Sequence, residues 1–184
     1  MATQAQLEQV RRALNKLSKA ATGDFQRVWD SLRTSDRVLV SKALMQGWTE
    51  IIEQYGDQAA ILAADVFEAE AGTLGIAAKT KVAAGVDADR ANARLGWALS
   101  TADQWGNVFV LLDELVKQPY RSTFQNSALA SGAGWARVPS GSHTCNWCLM
   151  LSGRGAVYHS KELAQFGTNG KKYHGDCSCV PTLV

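Results

Sequence analysis

The chain has 184 residues, of which 46% are hydrophobic and 20% are charged, and its formal net charge is +2. This length can bury one ordinary core, or one core and a small appended module. The low net charge excludes a field strong enough to draw the whole chain onto DNA or an acidic membrane. No apolar run approaches the roughly 18 residues of a membrane span. Residues 1–6 lack the pattern of a signal peptide, so we expect no membrane contact and folding in a cytosol.

Residues 1–71 carry apolar side chains at three- and four-residue spacing, which indicates helices with one buried face. Gly23 and the pair Gly56-Asp57 interrupt this pattern, and Asp24 is a suitable N-cap, so we predict four helices. Their apolar stripes are Leu7, Val10, Leu14, Leu17 and Ala21; Phe25, Val28, Trp29 and Leu32; Val40, Leu44, Trp48, Ile51 and Tyr55; and Ile61, Ala64, Phe67 and Ala71. The carboxylates Asp65, Glu68 and Glu70 are assigned to a solvated helix face.

Residues 72–86 lack helical periodicity, and their glycines and alanines predict a linker or a loosely held arm. Asp87 or Asp89 then starts a further helical region. Its apolar stripe includes Trp97, Trp105, Val108, Leu112 and Leu115. Pro119 ends or kinks this helix, and a last short helix is predicted over 120–130. Residues 1–130 therefore form the helical region of the chain.

The composition changes at residues 131–134, which read Ser-Gly-Ala-Gly. Residues 135–138, 157–158 and 180–184 are predicted as short strands, and 139–142 as a turn. Residues 135–184 carry five Lys/Arg against two Asp/Glu, a charge of +3, whereas residues 1–134 carry 14 against 15. We therefore predict a mainly α chain, in which a small α+β module over residues 131–184 follows the helical region.

The six tryptophans are many for this length. Trp29, Trp48, Trp97 and Trp105 fall on apolar stripes, which favours a role in the core or in helix packing. The alternative is an assembly interface, where tryptophan is enriched. Both roles are compatible if the helices pack against another subunit.

All four cysteines lie between residues 145 and 179, in two clusters. Cys145 and Cys148 form a Cys-x-x-Cys pair, and His174, Cys177 and Cys179 form a His-x-x-Cys-x-Cys group. A Cys-x-x-Cys turn lets two thiolates converge on one ion, and zinc takes four such ligands in a tetrahedron. Five candidates therefore compete for four places, and the spacing leaves open which one is omitted. A disulfide-stapled tail and buried reduced thiols are the alternatives.

The role predicted for a zinc ion bound by these clusters is structural. Four protein ligands leave no position for a zinc-bound water, and closed sites of that kind support folding. A module of this size cannot bury enough surface to be stable alone, so structural Zn²⁺ is expected as its cofactor. Ser140, His143 and Asp176 could be combined into a triad, but no Gly-x-Ser-x-Gly motif frames the serine. No catalytic residue is predicted.

The C-terminal motifs resemble those of a known family. They are Gly134-Trp135-Ala136-Arg137-Val138-Pro139, the Cys-x-x-Cys pair, Ser152-Gly153-Arg154-Gly155-Ala156-Val157-Tyr158 and the His-x-x-Cys-x-Cys group. Together they look like the C-terminal signature of phage minor head proteins, the Mu F-like proteins and their relatives in phages of actinobacteria. The likeness covers residues 119–184. Gly175-Asp176 follow the histidine where many relatives have a proline.

This resemblance implies a component of the virion or procapsid, made in the cytoplasm of a bacterial host and associated with the portal or the inner head. We accordingly expect a structural, non-enzymatic protein whose partners are capsid or portal proteins. Weak contact of the basic tail with packaged DNA, and self-association, are further expectations. A capsid maturation protease, or a head protein associated with one, is the first alternative function. A small zinc-containing nucleic-acid-binding module is the second.

Overall fold

A computed structural model describes residues 2–32, 37–139, 149 and 179–184, and for residues 37–40 the backbone alone. Of these positions, 74% are helical. The described elements are the helices α1 (Gln4–Ser31), α2 (Arg37–Thr73), α3 (Ala88–Leu99) and α4 (Gln104–Ala130), and the strands β1 (Trp135–Val138) and β2 (Val180–Leu183). The prediction of a mainly α chain is confirmed. The strand predicted at 157–158 lies outside the described residues.

Two long helices, α1 and α2, replace the four helices predicted for residues 1–71. A capping box starts α1: the hydroxyl of Thr3 accepts from the amide of Gln6, whose side chain accepts from the amide of Thr3. The helix continues through Gly23, because its apolar face is buried on both sides of that residue. This packing outweighs the roughly 1 kcal/mol that a glycine costs inside a helix.

Gly56 lies inside α2 and faces Pro119 of α4. A Cβ at this position would stand 3.1 Å from Cγ of Pro119, so the absence of a side chain lets the two helices pack closely. The predicted helix stop at Gly56 is therefore wrong. Of the two outcomes predicted at Pro119, an end or a kink, the end is wrong, since α4 runs through this buried proline. The separate short helix predicted over 120–130 is also wrong, because these residues belong to α4.

The helical region after Asp87 is divided at residues 100–103. Asp87 caps α3 as predicted, with its carboxylate 2.7 Å from the amide of Arg90. Asp103 caps α4 in the same manner, 3.0 Å from the amide of Gly106. Because the helical phase restarts at Asp103, a single apolar stripe does not continue from α3 into α4.

The tryptophans differ in exposure. Trp48 is fully buried: its ring packs edge-on against Phe25, and its indole nitrogen donates to the carbonyl of Ala91 at 3.1 Å. Trp29 and Trp105 are half-buried and meet edge to face. Core placement is wrong for Trp97, which is 62% exposed because α3 buries Ala91, Leu95 and Ala98 instead.

The helices pack around two adjacent apolar clusters. The first joins the N-terminal half of α1, the C-terminal halves of α2 and α4, and both strands. The second joins the C-terminal half of α1, the N-terminal halves of α2 and α4, and α3. Helix α1 is therefore antiparallel to α2, whereas α2 and α4 run parallel. Large side chains of the first cluster are Leu7, Phe67, Tyr120, Phe124 and Trp135, and of the second Phe25, Trp48, Leu95 and Leu112.

Residues 76–86, called the strap below, return the chain from the end of α2 to the start of α3. Three backbone amides anchor the strap to α4 and to Ser131, the C-cap of this helix. The hydrogen bonds join the amides of Lys79, Lys81 and Ala83 to the hydroxyls of Ser131, Ser127 and Thr123, at 2.8, 2.8 and 2.9 Å. Helical residues four apart are about 6 Å apart along the axis, so two strap residues span about 6 Å, as in an extended chain.

Candidate functional site

Strands β1 and β2 form an antiparallel pair that bounds the segment carrying most of the candidate ligands. Val138 pairs with Val180 where the chain leaves β1 and returns into β2. At the other end of the pair, Trp135 lies opposite Leu183, and both are buried in the first apolar cluster. Residues 140–178, called the Cys/His segment below, therefore begin and end at neighbouring points that are held against the helices.

The structure describes one of the five candidate zinc ligands, Cys179. This side chain is 3% exposed and directly precedes β2. Cys145, Cys148, His174 and Cys177 lie outside the described residues, as do Ser140, His143 and Asp176. The described part of the chain holds no group of three His, Cys, Asp or Glu side chains that could bind a metal. The zinc site therefore stays a prediction.

Buried polar side chains lie on α4 and β1. Arg137 of β1 is fully buried, and Arg121 and Gln125, one turn apart on α4, are 3% and 0% exposed. Taking a guanidinium out of water is costly unless other groups compensate it, so these positions have specific structural demands. We did not predict them. The sequence carries one signal for Arg137: it stands two residues from Trp135, and residues two apart on a strand share a face.

Glu70, near the end of α2, binds β2. Its Oε2 accepts hydrogen bonds from the amide of Leu183 at 2.7 Å and from the hydroxyl of Thr182 at 2.8 Å. Burial raises the pKa of Glu70 above its usual value, while the two hydrogen bonds and the charge of the chain's N-terminus act in the opposite direction. The assignment of Glu70 to a solvated face is wrong, because β2 packs across this end of α2. Asp65 and Glu68 are exposed as predicted.

A groove of about 270 Å³ lies between α1 and α2 beside Glu70. Its walls are formed mainly by Leu7, Val10, Ala13, Leu62, Val66 and Ala69. Among the described residues that line the groove, Glu70 is the only charged one. Helical periodicity could not predict this groove, since it assigns residues to faces but does not give the spacing between two helices.

Comparisons with known proteins place the chain in a family. A family model described as VG15 protein matches residues 1–184, which include the helices, both strands and the Cys/His segment. Comparison with curated proteins and with solved structures gave no match. No helix in the described part of the chain is long and apolar enough to cross a membrane. Because the match extends over the whole sequence, the chain belongs to the VG15 family of phage proteins.

Proposed function

We propose that the protein is a structural, non-enzymatic component of the phage head, related to the Mu F-like minor head proteins. It is made in the cytoplasm of the bacterial host, enters the virion head, and contacts capsid or portal proteins during assembly. Membership of a phage protein family supports the phage part of this proposal. The motif resemblance over residues 119–184 supports the assignment to the head.

The observation that carries the proposal is Trp97, a large aromatic side chain that is 62% exposed on a firmly held helix. The helix α3 is tied to α2 by the hydrogen bond from Trp48 to the carbonyl of Ala91. It is tied to α4 by a paired contact between Arg94 and Glu114, with distances of 2.8 and 3.1 Å. An exposed tryptophan on a rigid element loses little conformational freedom on binding, and such residues dominate many interfaces.

Zinc has a structural role in this proposal. Four of Cys145, Cys148, His174, Cys177 and Cys179 would hold the ion, which supplies folding free energy to residues 131–184 when bound. The position of Cys179 fits this role, because it is buried at the strand end where the Cys/His segment rejoins the helical frame. A buried thiolate requires a nearby positive charge, and a metal ion provides one.

The test is incorporation of Trp97 variants into phage heads. Truncation of an interface tryptophan costs about 2 kcal/mol, or about a thirtyfold loss of affinity, so Trp97→Ala should be depleted from purified heads. Trp97→Phe should be incorporated nearly normally, because it retains an aromatic ring. Arg12→Ala, an exposed substitution on α1, serves as the control for changes outside α3.

If a folded Trp97→Ala variant were incorporated normally, Trp97 would not be an assembly contact, and the proposal would lose the observation that supports it. The competing protease function makes a different prediction. If Ser140→Ala or His143→Ala blocked cleavage of the capsid protein while the chain stayed folded, the non-enzymatic proposal would be wrong.

A further inference from the structure

The strap is hydrogen-bonded along one edge only. Every second amide between residues 79 and 83 donates to a hydroxyl of α4 or of its C-cap. In an extended chain the N–H and C=O groups of successive residues point to opposite sides. The amides of Thr80, Val82 and Ala84 therefore point away from α4. Within the described part of the chain, these three amides have no hydrogen-bond acceptor.

The second edge of the strap is directed to solvent. Side chains two residues apart on an extended chain share a face, so Lys79 and Lys81 mark one face of the strap and Val82 and Ala84 mark the other. All four are exposed, and Val82 is 60% exposed. An extended chain with two open faces and one edge held by a helix stands on that edge. Its opposite edge, with the unpaired amides, then faces water.

An edge of this kind fits an extended polypeptide. The alternating N–H and C=O groups match those of a second strand, whereas the backbone groups of a helix are already bonded within the helix. The anchors on α4 hold the strap in the extended form before any partner arrives, so binding does not have to order it. The backbone geometry therefore points to a partner that pairs as a strand.

The charges on the strap select among such partners. Residues directly opposite each other in a strand pair stabilise it when their charges are opposite, and destabilise it when their charges are alike. A second copy of the strap, paired antiparallel about Thr80 or Lys81, would place lysine against lysine. Lysines on an open edge therefore act against self-pairing. They favour a segment with acidic side chains opposite Lys79 and Lys81 and an apolar side chain opposite Val82.

We propose that the strap is a docking edge for an extended, acidic segment of a partner protein, which adds to it as a strand. This inference goes beyond the proposed head function, because the strap is separate in sequence from Trp97 and from the Cys/His segment. It also does not depend on where in the virion the partner lies.

The test is nuclear magnetic resonance of the full chain with the peptide acetyl-Val-Thr-Val-Glu-Thr-Glu-amide, whose antiparallel register places glutamates opposite both lysines. In the free protein, the amides of Thr80, Val82 and Ala84 should exchange with solvent at least about threefold faster than the anchored amides. The peptide should shift and protect these three amides. Protection of these amides in the free protein would show that the edge is already occupied, and it would overturn the proposal.

Two matched peptides separate backbone pairing from charge. N-methylation of the residues opposite Thr80 and Val82 removes their donors and keeps every side chain, so this peptide should not bind. Replacing both glutamates with lysine should weaken binding at least about threefold. Equal binding of the N-methylated peptide would refute strand addition, and equal binding of the lysine peptide would refute the preference for an acidic partner.

Variants of the strap complete the test. Val82→Pro removes an outward donor and leaves the anchored amides in place, so it should abolish binding, whereas Val82→Ala keeps the amide and should retain it. Replacing Lys79 and Lys81 together with glutamate should reverse the preference toward the lysine peptide. Unchanged binding by Val82→Pro, or an unchanged preference in the glutamate variant, would contradict the proposal. Sedimentation equilibrium checks for a second copy, since wild-type dimers that Val82→Pro dissociates would show that the edge pairs with itself.

Discussion

Glu70 joins α2 to the C-terminal strand through one oxygen atom, although its donors on β2 lie 112 and 113 positions away in the sequence. Because burial raises the pKa of Glu70, the folded protein binds a proton at this carboxyl more readily than the unfolded chain does. The stability that results is fully present below the usual pKa of 4.5. It is lost as the pH rises through the higher pKa of the folded state.

We therefore expect Glu70→Gln to gain stability relative to the wild type as the pH rises from about 4 to about 8. Glutamine keeps an oxygen that can accept from Leu183 and Thr182, and it has no charge to desolvate. The measurement is the urea midpoint of both proteins across this range. Asp65→Asn, an exposed change on the same helix, controls for the loss of one negative charge. A difference that stays constant with pH would contradict the assigned effect of burial.

The residue roles that sequence could predict were those set by helical spacing. Periodicity identifies the buried face, which is why Trp48 and Leu112 were placed correctly in the core. Trp97 was misplaced because α3 ends at Leu99 and α4 starts a new helical phase. The role of Glu70 could not be predicted, since it depends on a strand more than a hundred residues further along the chain.

The strap shows how a segment without helix or strand is held in place. Every second amide of the strap from Lys79 to Ala83 donates a hydrogen bond. The hydroxyls that accept these bonds are spaced four residues apart along α4 and its C-cap. Two residues of an extended chain and four residues of a helix cover nearly the same length, so successive strap amides can reach successive hydroxyls. Alanine and glycine content predicted a linker or a loosely held arm over 72–86. Composition could not predict the anchoring, because it does not show which side chains of a distant helix accept the amides of the strap.

We expect the combined variant Thr123→Val, Ser127→Ala and Ser131→Ala to release the strap. Each lost hydrogen bond should cost about 0.5–1.5 kcal/mol, so the three together should cost about 1.5–4.5 kcal/mol. Trypsin should then cleave after Lys79 and Lys81 faster than in the wild type, as followed by mass spectrometry of the two cleavage products. Ser31→Ala, at the end of α1, and Ser100→Ala, at the C-cap of α3, remove hydroxyls that donate only to a carbonyl of the same helix. They should leave this cleavage unchanged. Equal cleavage rates in the triple variant and the wild type would show that the hydroxyls do not hold the strap.

Gly56 and Pro119 are misleading signals for element boundaries. Both Gly56 and Pro119 were predicted to interrupt helices, yet they lie against each other where α2 and α4 pack closely. A glycine that ends a helix and one that admits a neighbouring helix are indistinguishable along a single chain. The contact between two helices decides the difference, so these boundaries could not have been predicted from local sequence.

Through the strand pair, residues from both sides of the Cys/His segment contribute to the helical core. Trp135 precedes this segment and Val180 and Leu183 follow it, and all three are buried in the first apolar cluster. The composition break at 131–134 predicted the start of the module over 131–184. It could not show that the two ends of this module pack with the helices, because that packing joins positions far apart in sequence. The strands therefore belong to the same structural unit as the helices, and the Cys/His segment is inserted between the strands.

This arrangement predicts that the Cys/His segment can be removed while the helices stay folded. Replacing residues 139–179 with Asn-Gly would join Val138 to Val180 by a two-residue hairpin turn, which suits an antiparallel pair in this register. We expect the helical circular dichroism per residue of the frame to be retained and bound zinc to fall from about one ion per chain to none. Cys145→Ser and His174→Ala in the full chain should likewise lose zinc and keep the helices. By contrast, truncation after Cys179 removes Val180 and Leu183 from the core and should cost about 3–6 kcal/mol, measured by urea unfolding. If the hairpin variant lost its helical signal, or if the wild type contained disulfides and no zinc, the insertion of a metal-stabilised segment into a self-sufficient helical frame would be refuted.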